Sequence, residues 1–297
     1  MPGFSSRMLW DTGSFDDSSI WLEFLSESIV QDIPILNSAG FRGTRTHASE
    51  RNRSGNETVR GTIEMEASRI ALDNILPAAL GAAESSNIFN VAETIPEFNL
   101  LIDKVTDIAL VTAAKINRFT LRGSQGGIIG MSLDVEAESI TWGQSWPSPA
   151  PTPDVSKPYF FSDLGDVTIE SAARKLFDFE IVVDNVLIVD QFANNLTRDS
   201  LINSSDRIVT VRLSVPAEGN SGLISTTVSG EQVSLVLTNA EEASSVLTAL
   251  LGRLSFTTGK PVVNSKGQLV IPMEGQSRGI GHAGATAPDI RITNAHA

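Results

Sequence analysis

Apolar and polar residues alternate along most of this chain, the pattern of strands with one face buried and the other wet. From Glu57 to Ala67, Val59, Ile63, Met65 and Ala67 fall on one side, and Thr58, Arg60, Thr62, Glu64 and Glu66 on the other. From Ile128 to Ser139 the inward set is Ile129, Met131, Leu133, Val135 and Ala137, and the outward set Ser132, Asp134, Glu136 and Glu138. Phe177, Phe179, Ile181 and Val183 alternate with Asp178, Glu180 and Asp184, and the stretch from Arg207 to Val215 turns Val209, Val211, Leu213 and Val215 inward. Shorter strands are predicted at Asn99–Lys104, Lys115–Arg122, Glu231–Thr238, Gln268–Met273 and Asp289–Thr293. Two segments read instead as helices. One runs from Ser68 to Leu80 and stops at Gly81. The other starts at Asn239, a good N-cap, carries Glu241 and Glu242 in its first turn, and ends at Gly252. Their tails, Ile75–Gly81 and Val246–Gly252, echo one another and hint at a duplicated strand–helix unit.

Four prolines between Trp146 and Pro153 alternate with small residues and favour an extended, semi-rigid connection. They divide the chain into an N-terminal segment (1–36), a first β-rich half (37–146), a proline-rich linker (147–158) and a second β-rich half (159–297). The 297 residues are long enough to bury a substantial core, and a 41% hydrophobic content is that of an ordinary globular protein. No apolar run approaches the ~18–20 residues that span a bilayer, and the first twenty residues lack a signal-peptide pattern.

Charge and chemistry narrow the reading. With 22 Lys+Arg against 35 Asp+Glu, the formal charge of −13 argues against wrapping nucleic acid. The absence of cysteine removes disulfides, thiolate metal sites and cysteine nucleophiles together. Asp11-Thr12-Gly13-Ser14 looks like an aspartic protease turn, but that chemistry needs a second carboxylate sharing the proton, and no second such motif exists. It reads as a polar turn. Gly279–Gly284 has dinucleotide-binding spacing, yet Pro288 interrupts the helix that would receive a pyrophosphate, so a hairpin loop is the better reading. The Gly123–Gly130 stretch is likewise a turn. The histidines, His47, His282 and His296, have no second ligand pair beside them, and there is no Gly-x-Ser-x-Gly elbow. Neither an enzyme nor a bound cofactor is expected.

The segment Gly40–Gly61 stands apart. It holds Arg42, Arg45, Arg51, Arg53 and Arg60, no lysine, and little apolar content between Thr44 and Thr58. Arginine pairs bidentately with carboxylates and tolerates partial burial, which suits an arm ordered against a neighbouring subunit. Arginine makes up 16 of the 22 basic residues, as befits an interface-rich protein.

The succession of Ser38–Arg45, a polar loop, the strand Val59–Glu66 and a helix ending Ala79-Leu80-Gly81 resembles the tail tube (major tail) proteins of long-tailed bacteriophages. So do the later strands Phe177–Asn185 and Asp206–Val211. The likeness spans roughly Asn37 to Asn294 as a pattern of elements. It implies a mainly β subunit, sandwich- or barrel-like, with one or two flanking helices and possibly a duplicated fold. Such subunits polymerise into hexameric rings, or trimeric ones where the fold is duplicated, stacked into a tube. It also implies tape measure and tail terminator proteins as partners, DNA that passes without specific binding, no membrane, and a virion tail assembled in the host cytoplasm. Other phage or secretion-system structural proteins, and a secreted β-sandwich binding module, remain the alternatives. On this reading the acidic strand faces, with Glu64, Glu66, Asp134, Glu136, Glu138, Asp178, Glu180 and Asp184, are the candidate channel lining. The five arginines are the candidate contacts between subunits.

Overall fold

The alternating segments form antiparallel strands whose inward side chains meet in one apolar core. The computed structural model describes residues 5–40, 49–169, 172–217, 229–242, 244–258, 269–279 and 288–296. The chain opens with the hairpin β1 (Arg7–Asp11) and β2 (Ile20–Leu22), followed by two short strands, β3 (Ser26–Glu27) and β4 (Val30–Asp32). Strands β5 (Ile35–Asn37) and β6 (Asn52–Ser54) pair, among the described residues, with each other alone, as an arm. Then come β7 (Thr58–Glu66), helix α1 (Arg69–Leu80), β8 (Ile88–Asn90), β9 (Phe98–Asp103), the 17-residue β10 (Ile108–Ser124), β11 (Gly130–Ala137) and β12 (Ser139–Thr141). Beyond the proline-rich stretch lie the small hairpin β13 (Val167–Ile169) with β14 (Ala172–Arg174), then β15 (Asp178–Asp184). The short β16 (Leu187–Ile188) and β17 (Ile202–Asn203) pair before β18 (Ile208–Pro216). The last strands are β19 (Ser229–Thr238), β20 (Val246–Thr258), β21 (Val270–Arg278) and β22 (Ile290–Ala295).

Eight strands stand side by side in the order β7–β11–β10–β15–β18–β21–β20–β19. The second layer uses the other ends of the two longest strands. Residues 108–114 of β10 pair with β9, itself beside β1 and β2, and with β12. Residues 246–251 of β20 pair on one side with Val233–Thr238 of β19 and on the other with β22, which carries β8. Register shifts at Val111/Ala114 and Ile116/Arg118, with Ala113 at φ 50°, bend β10 from one layer into the other. β10 also pairs β15 across seven residues, so the sheet continues from one side of the proline-rich stretch to the other.

The inward residues of β7, β11, β15 and β18 are almost completely buried, and so are Phe119 and Leu121 of β10. Helix α1 presses Leu72, Ile75, Leu76, Ala79 and Leu80 against them, with contacts to β10, β22 and β8. Its ends are closed as the sequence predicts. The Ser68 hydroxyl accepts a hydrogen bond from the Ala71 amide at 3.3 Å, and Gly81 at φ 100° donates to the Pro77 carbonyl at 2.9 Å. Asn185 and Arg207 supply further donors to the last carbonyls, Ala79 and Leu80. Among the described residues, no helix is long and apolar enough to cross a membrane.

The helix expected over Asn239–Gly252 is not formed; that stretch is a turn followed by β20. Asn239 still does what an N-cap does, accepting from the Glu241 and Glu242 amides at 3.0 and 3.2 Å. The chain then leaves extended, because Leu247, Ala249 and Leu251, and beyond a bulge at Gly252 Leu254 and Phe256, point to the core at strand spacing. Gly252 is no helix stop but a crossing point. A Cβ there would collide with the Arg278 carbonyl oxygen and lie 2.7 Å from that of Pro288. The helix echo therefore gives no support to a duplicated unit. Gly252→Ala is expected to destabilise the protein by about 2 kcal/mol through this forced separation of strands. Urea unfolding checks it, and an unchanged midpoint would show that the crossing has room to spare.

Candidate functional site

Because side chains alternate across a strand, burying one face of the eight-stranded layer fixes the residues on the other. The register then sets them in transverse rows. Glu66, Gly130, Arg122, Glu180, Arg212 and Glu274 stand opposite one another from β7 to β21. The next row is uncharged except at its end: Glu64, Ser132, Thr120, Val182, Thr210, Gln276 and, on β20, Ser255. A third row sets Thr62, Asp134, Arg118 and Asp184 together. Six of the eight candidate lining residues, Glu64, Glu66, Asp134, Asp178, Glu180 and Asp184, share this face half-buried, interleaved with arginines.

Each arginine in the middle of the face is held by carboxylates. Arg122 donates to Glu64 at 2.8 Å. Arg118 donates to Asp184 at 2.9 Å and lies 3.9 Å from Asp134, which also accepts from the Thr62 hydroxyl at 2.9 Å. Arg212 is clamped between Glu180 and Glu274 at 3.2 Å each. Asp178 accepts from the Ser214 hydroxyl at 2.7 Å. These pairs are about half exposed, so each contributes only ~0.2–1 kcal/mol to stability. Their larger effect is on the field: no guanidinium in the centre of the face is left to bind a phosphate.

The other two candidates sit differently. Glu136 is covered by the 186–207 loop, whose Arg198 is 4% exposed and donates to Glu136 at 2.7 Å. Arg198 also donates to the Val59 and Ala137 carbonyls at 3.2 and 3.1 Å, pinning the loop across the ends of β7 and β11. Glu138 lies just past β11, where burial, and then the neighbouring Glu97, push its carboxyl above the usual range while Lys115 opposes them. Lys115 itself is bound to Glu97 at 3.3 Å and donates to the Leu201 carbonyl at 2.5 Å.

Of the five arginines expected at subunit contacts, Arg42 and Arg45 lie outside the described residues, as do His47 and His282. Arg51 and Arg53 are exposed on the β5–β6 arm, and Arg60 is exposed near the start of β7. The Asp11 turn is local, its carboxylate accepting from the Gly13 amide and the Ser19 hydroxyl at 2.8 and 2.7 Å. Among the described residues, no cluster of His, Asp or Glu has the geometry to hold a metal ion.

The comparison with known families decides the identity. The family model described as phage tail tube protein matches residues 18–286, taking in nearly all of the sheet, the helix and the arm. The chain belongs to the phage tail tube protein family. No curated protein matches it in sequence. The tail tube family is structural, a component of the virion tail, and is not a family of enzymes.

In this tail tube protein, sequence reasoning missed the basic half of the charged face. The parity of β10 and β18 carries it, since Arg118 and Arg122 fall on the wet side with Thr120, and Arg212 with Thr210. Arg198 gave no such signal, because its partner lies 62 residues away on another element.

Two measurements follow from these geometries. Arg198→Ala leaves a largely covered carboxylate unpaired and is expected to cost about 3 kcal/mol, with Arg198→Met/Glu136→Gln recovering much of it. Denaturant unfolding of the three proteins would show whether the double change does so. For Glu138 the sign follows from its raised pKa: the native state holds the proton more tightly than the unfolded chain, so stability falls as pH rises through that range. Glu138→Gln should therefore raise the melting temperature at pH 7. The gain should vanish once the pH drops below the ordinary glutamate value of 4.5. A gain that persists at acid pH would assign it to something other than ionisation.

Proposed function

We propose that copies of this tail tube protein close side by side into rings, and that the rings stack into a conduit through which DNA leaves the virion. The eight-stranded face, wet and charge-paired, is the observation that carries this reading. Its two edges are strands of different character. β7 is covered from Thr58 to Glu64 by the short β3 and β4, and among the described residues β19, beyond its pairing with β20, is bridged at Leu164 and Gly165 and packs on β13. Joining the β19 edge of one copy to the β7 side of the next, along the outer margin of β3 and β4, leaves neither margin open. Continued around a circle, it makes one barrel lined by the charged face.

The width of the face sets the number of copies. With strands about 4.8 Å apart and tilted by about 40°, three copies of eight strands close a backbone cylinder roughly 48 Å across. Side chains of about 6 Å on each wall leave a bore of roughly 35 Å, wider than a DNA duplex. Two copies would leave about 20 Å, with no clearance for the duplex, and six would double the cylinder. Trimeric rings fit best.

The lining works by denying phosphates a partner. DNA carries about one negative charge per 1.7 Å of its axis. It slides past carboxylates that repel it and past the central guanidiniums of Arg118, Arg122 and Arg212, already occupied. Asp134, Asp178, Glu180 and Asp184, with Glu64, are the lining residues; Glu66 and Glu138 stand at its two rims, and Glu136 is taken up by Arg198 beneath the 186–207 loop. The 42–60 segment makes the contacts between rings, while the tape measure and tail terminator proteins meet the tube inside and at its end. Assembly takes place in the host cytoplasm.

Deleting Thr44–Asn56 is expected to leave a folded protein that no longer forms tubes. Negative-stain microscopy together with far-UV circular dichroism is the check, and normal tubes from the deleted chain would sink the proposal. Ring images should show threefold symmetry.

A further inference from the structure

The arm and a groove of matching character lie at opposite ends of the same strand. β4 pairs with the start of β7, and the arm projects beyond that start, with Gly55 donating to the Pro34 carbonyl at 2.6 Å. Leu36 stands opposite Arg53 in the arm, and Ile35 and Leu36 are 69% and 59% exposed. Arg51 and Arg53 have no ion-pair partner among the described residues. At the far end of β7, where the chain enters α1, a groove of about 480 Å³ is lined by Trp21, Glu23, Phe24, Leu25, Glu66 and Arg7, among others; Arg7 is already held by Asp103 at 2.9 Å, which leaves the carboxylates to set the charge of the groove. Glu23 and Glu66 likewise have no ion-pair partner among the described residues, and Leu25 is 68% exposed.

We infer that this groove receives the arm of a second copy in the neighbouring ring. This rests on the tube reading above and adds the acceptor to it. Two unpaired arginines beside two exposed aliphatic side chains meet two unpaired carboxylates beside Trp21, Phe24 and Leu25. Both the charge and the apolar content are therefore complementary. The chain cannot satisfy the match by itself. Nine residues of β7 at about 3.3 Å each hold arm and groove roughly 30 Å apart. A donor at one end and an acceptor at the other make a head-to-tail contact that does not close on itself, the symmetry a tube of indefinite length requires. The groove volume accommodates two aliphatic side chains such as Ile35 and Leu36, leaving the arginines at its rim.

Charge reversal tests the pairing in the full-length chain. Arg51→Glu/Arg53→Glu alone and Glu23→Arg/Glu66→Arg alone should each remain as unstacked rings, with tube mass in sedimentation reduced at least tenfold. An equimolar mixture of the two, and the protein carrying all four changes, should form tubes again, because a reversed arm then meets a reversed groove. Because the chain has no cysteine, Leu25→Cys/Leu36→Cys provides an independent readout. Mild oxidation of its tubes should give a ladder of disulfide-linked multimers. Tubes of normal length from the groove-reversed protein, or oxidised tubes without a ladder, would overturn the assignment. If the Thr44–Asn56 deletion stops tube growth while the groove-reversed protein elongates, the arm keeps its role and the groove loses it. If the deleted chain still makes tubes, both readings fail.

Discussion

The constraint on which everything else rests is that one face of a wide sheet must be covered, and a single sheet cannot cover itself without bending. β10 and β20 solve this by being long enough to belong to both layers. The bulges in β10 turn the strand at the point where its inward residues pass from Val111 and Ala114 to Ile116 and Phe119. Helix α1 fills the remaining space with Leu and Ala side chains. Once that core is closed, the period of two leaves no choice about the other face. Glu64 is wet because Ile63 and Met65 are dry.

That dependence explains what could be read from the sequence and what could not. Strands β7, β11, β15 and β18 were legible because each satisfies the alternation by itself. β20 was not. Val246–Leu251 is apolar at nearly every position, so helical and strand periods fit it equally well, and Asn239 makes N-cap hydrogen bonds whichever way the chain continues. What decides is remote: the partners β19, β21 and β22, and the close passage of Gly252 against Arg278. The same distinction runs through the charged face. Parity tells which residues are wet, but only register tells that Arg212 lies between Glu180 and Glu274. The arm was visible as an arginine-rich polar segment, whereas its exposed Ile35 and Leu36 had no meaning until the strand pairing placed them on a projection.

The net charge of the chain is therefore a poor description of its working surface. A face of unpaired carboxylates would be destabilised by its own repulsion, and a face with free arginines would retain a polyanion. Alternating the two signs across neighbouring strands avoids both outcomes in the middle of the face, because Arg118, Arg122 and Arg212 are neutralised where they stand while the backbone order fixes the spacing. Half-exposed pairs of this kind contribute little to folding. On the proposed reading their arrangement answers to what must pass over them.

On the proposed reading, edges and ends of such a subunit have separate physical tasks. Lateral closure uses backbone hydrogen bonds between strand edges, which are available to any strand of suitable length and are specified mainly by register. Axial growth has no backbone edge to offer, since strands end there, so it must rely on side chains: arginine against carboxylate, aliphatic against aromatic. The two kinds of contact respond differently to solvent. Added salt screens exposed charges over about 8 Å at physiological ionic strength and leaves strand pairing nearly untouched. Rings should therefore be the sturdier unit and stacking the adjustable one. A tube built this way can be lengthened or stopped at its end without disturbing the barrel that guides its cargo.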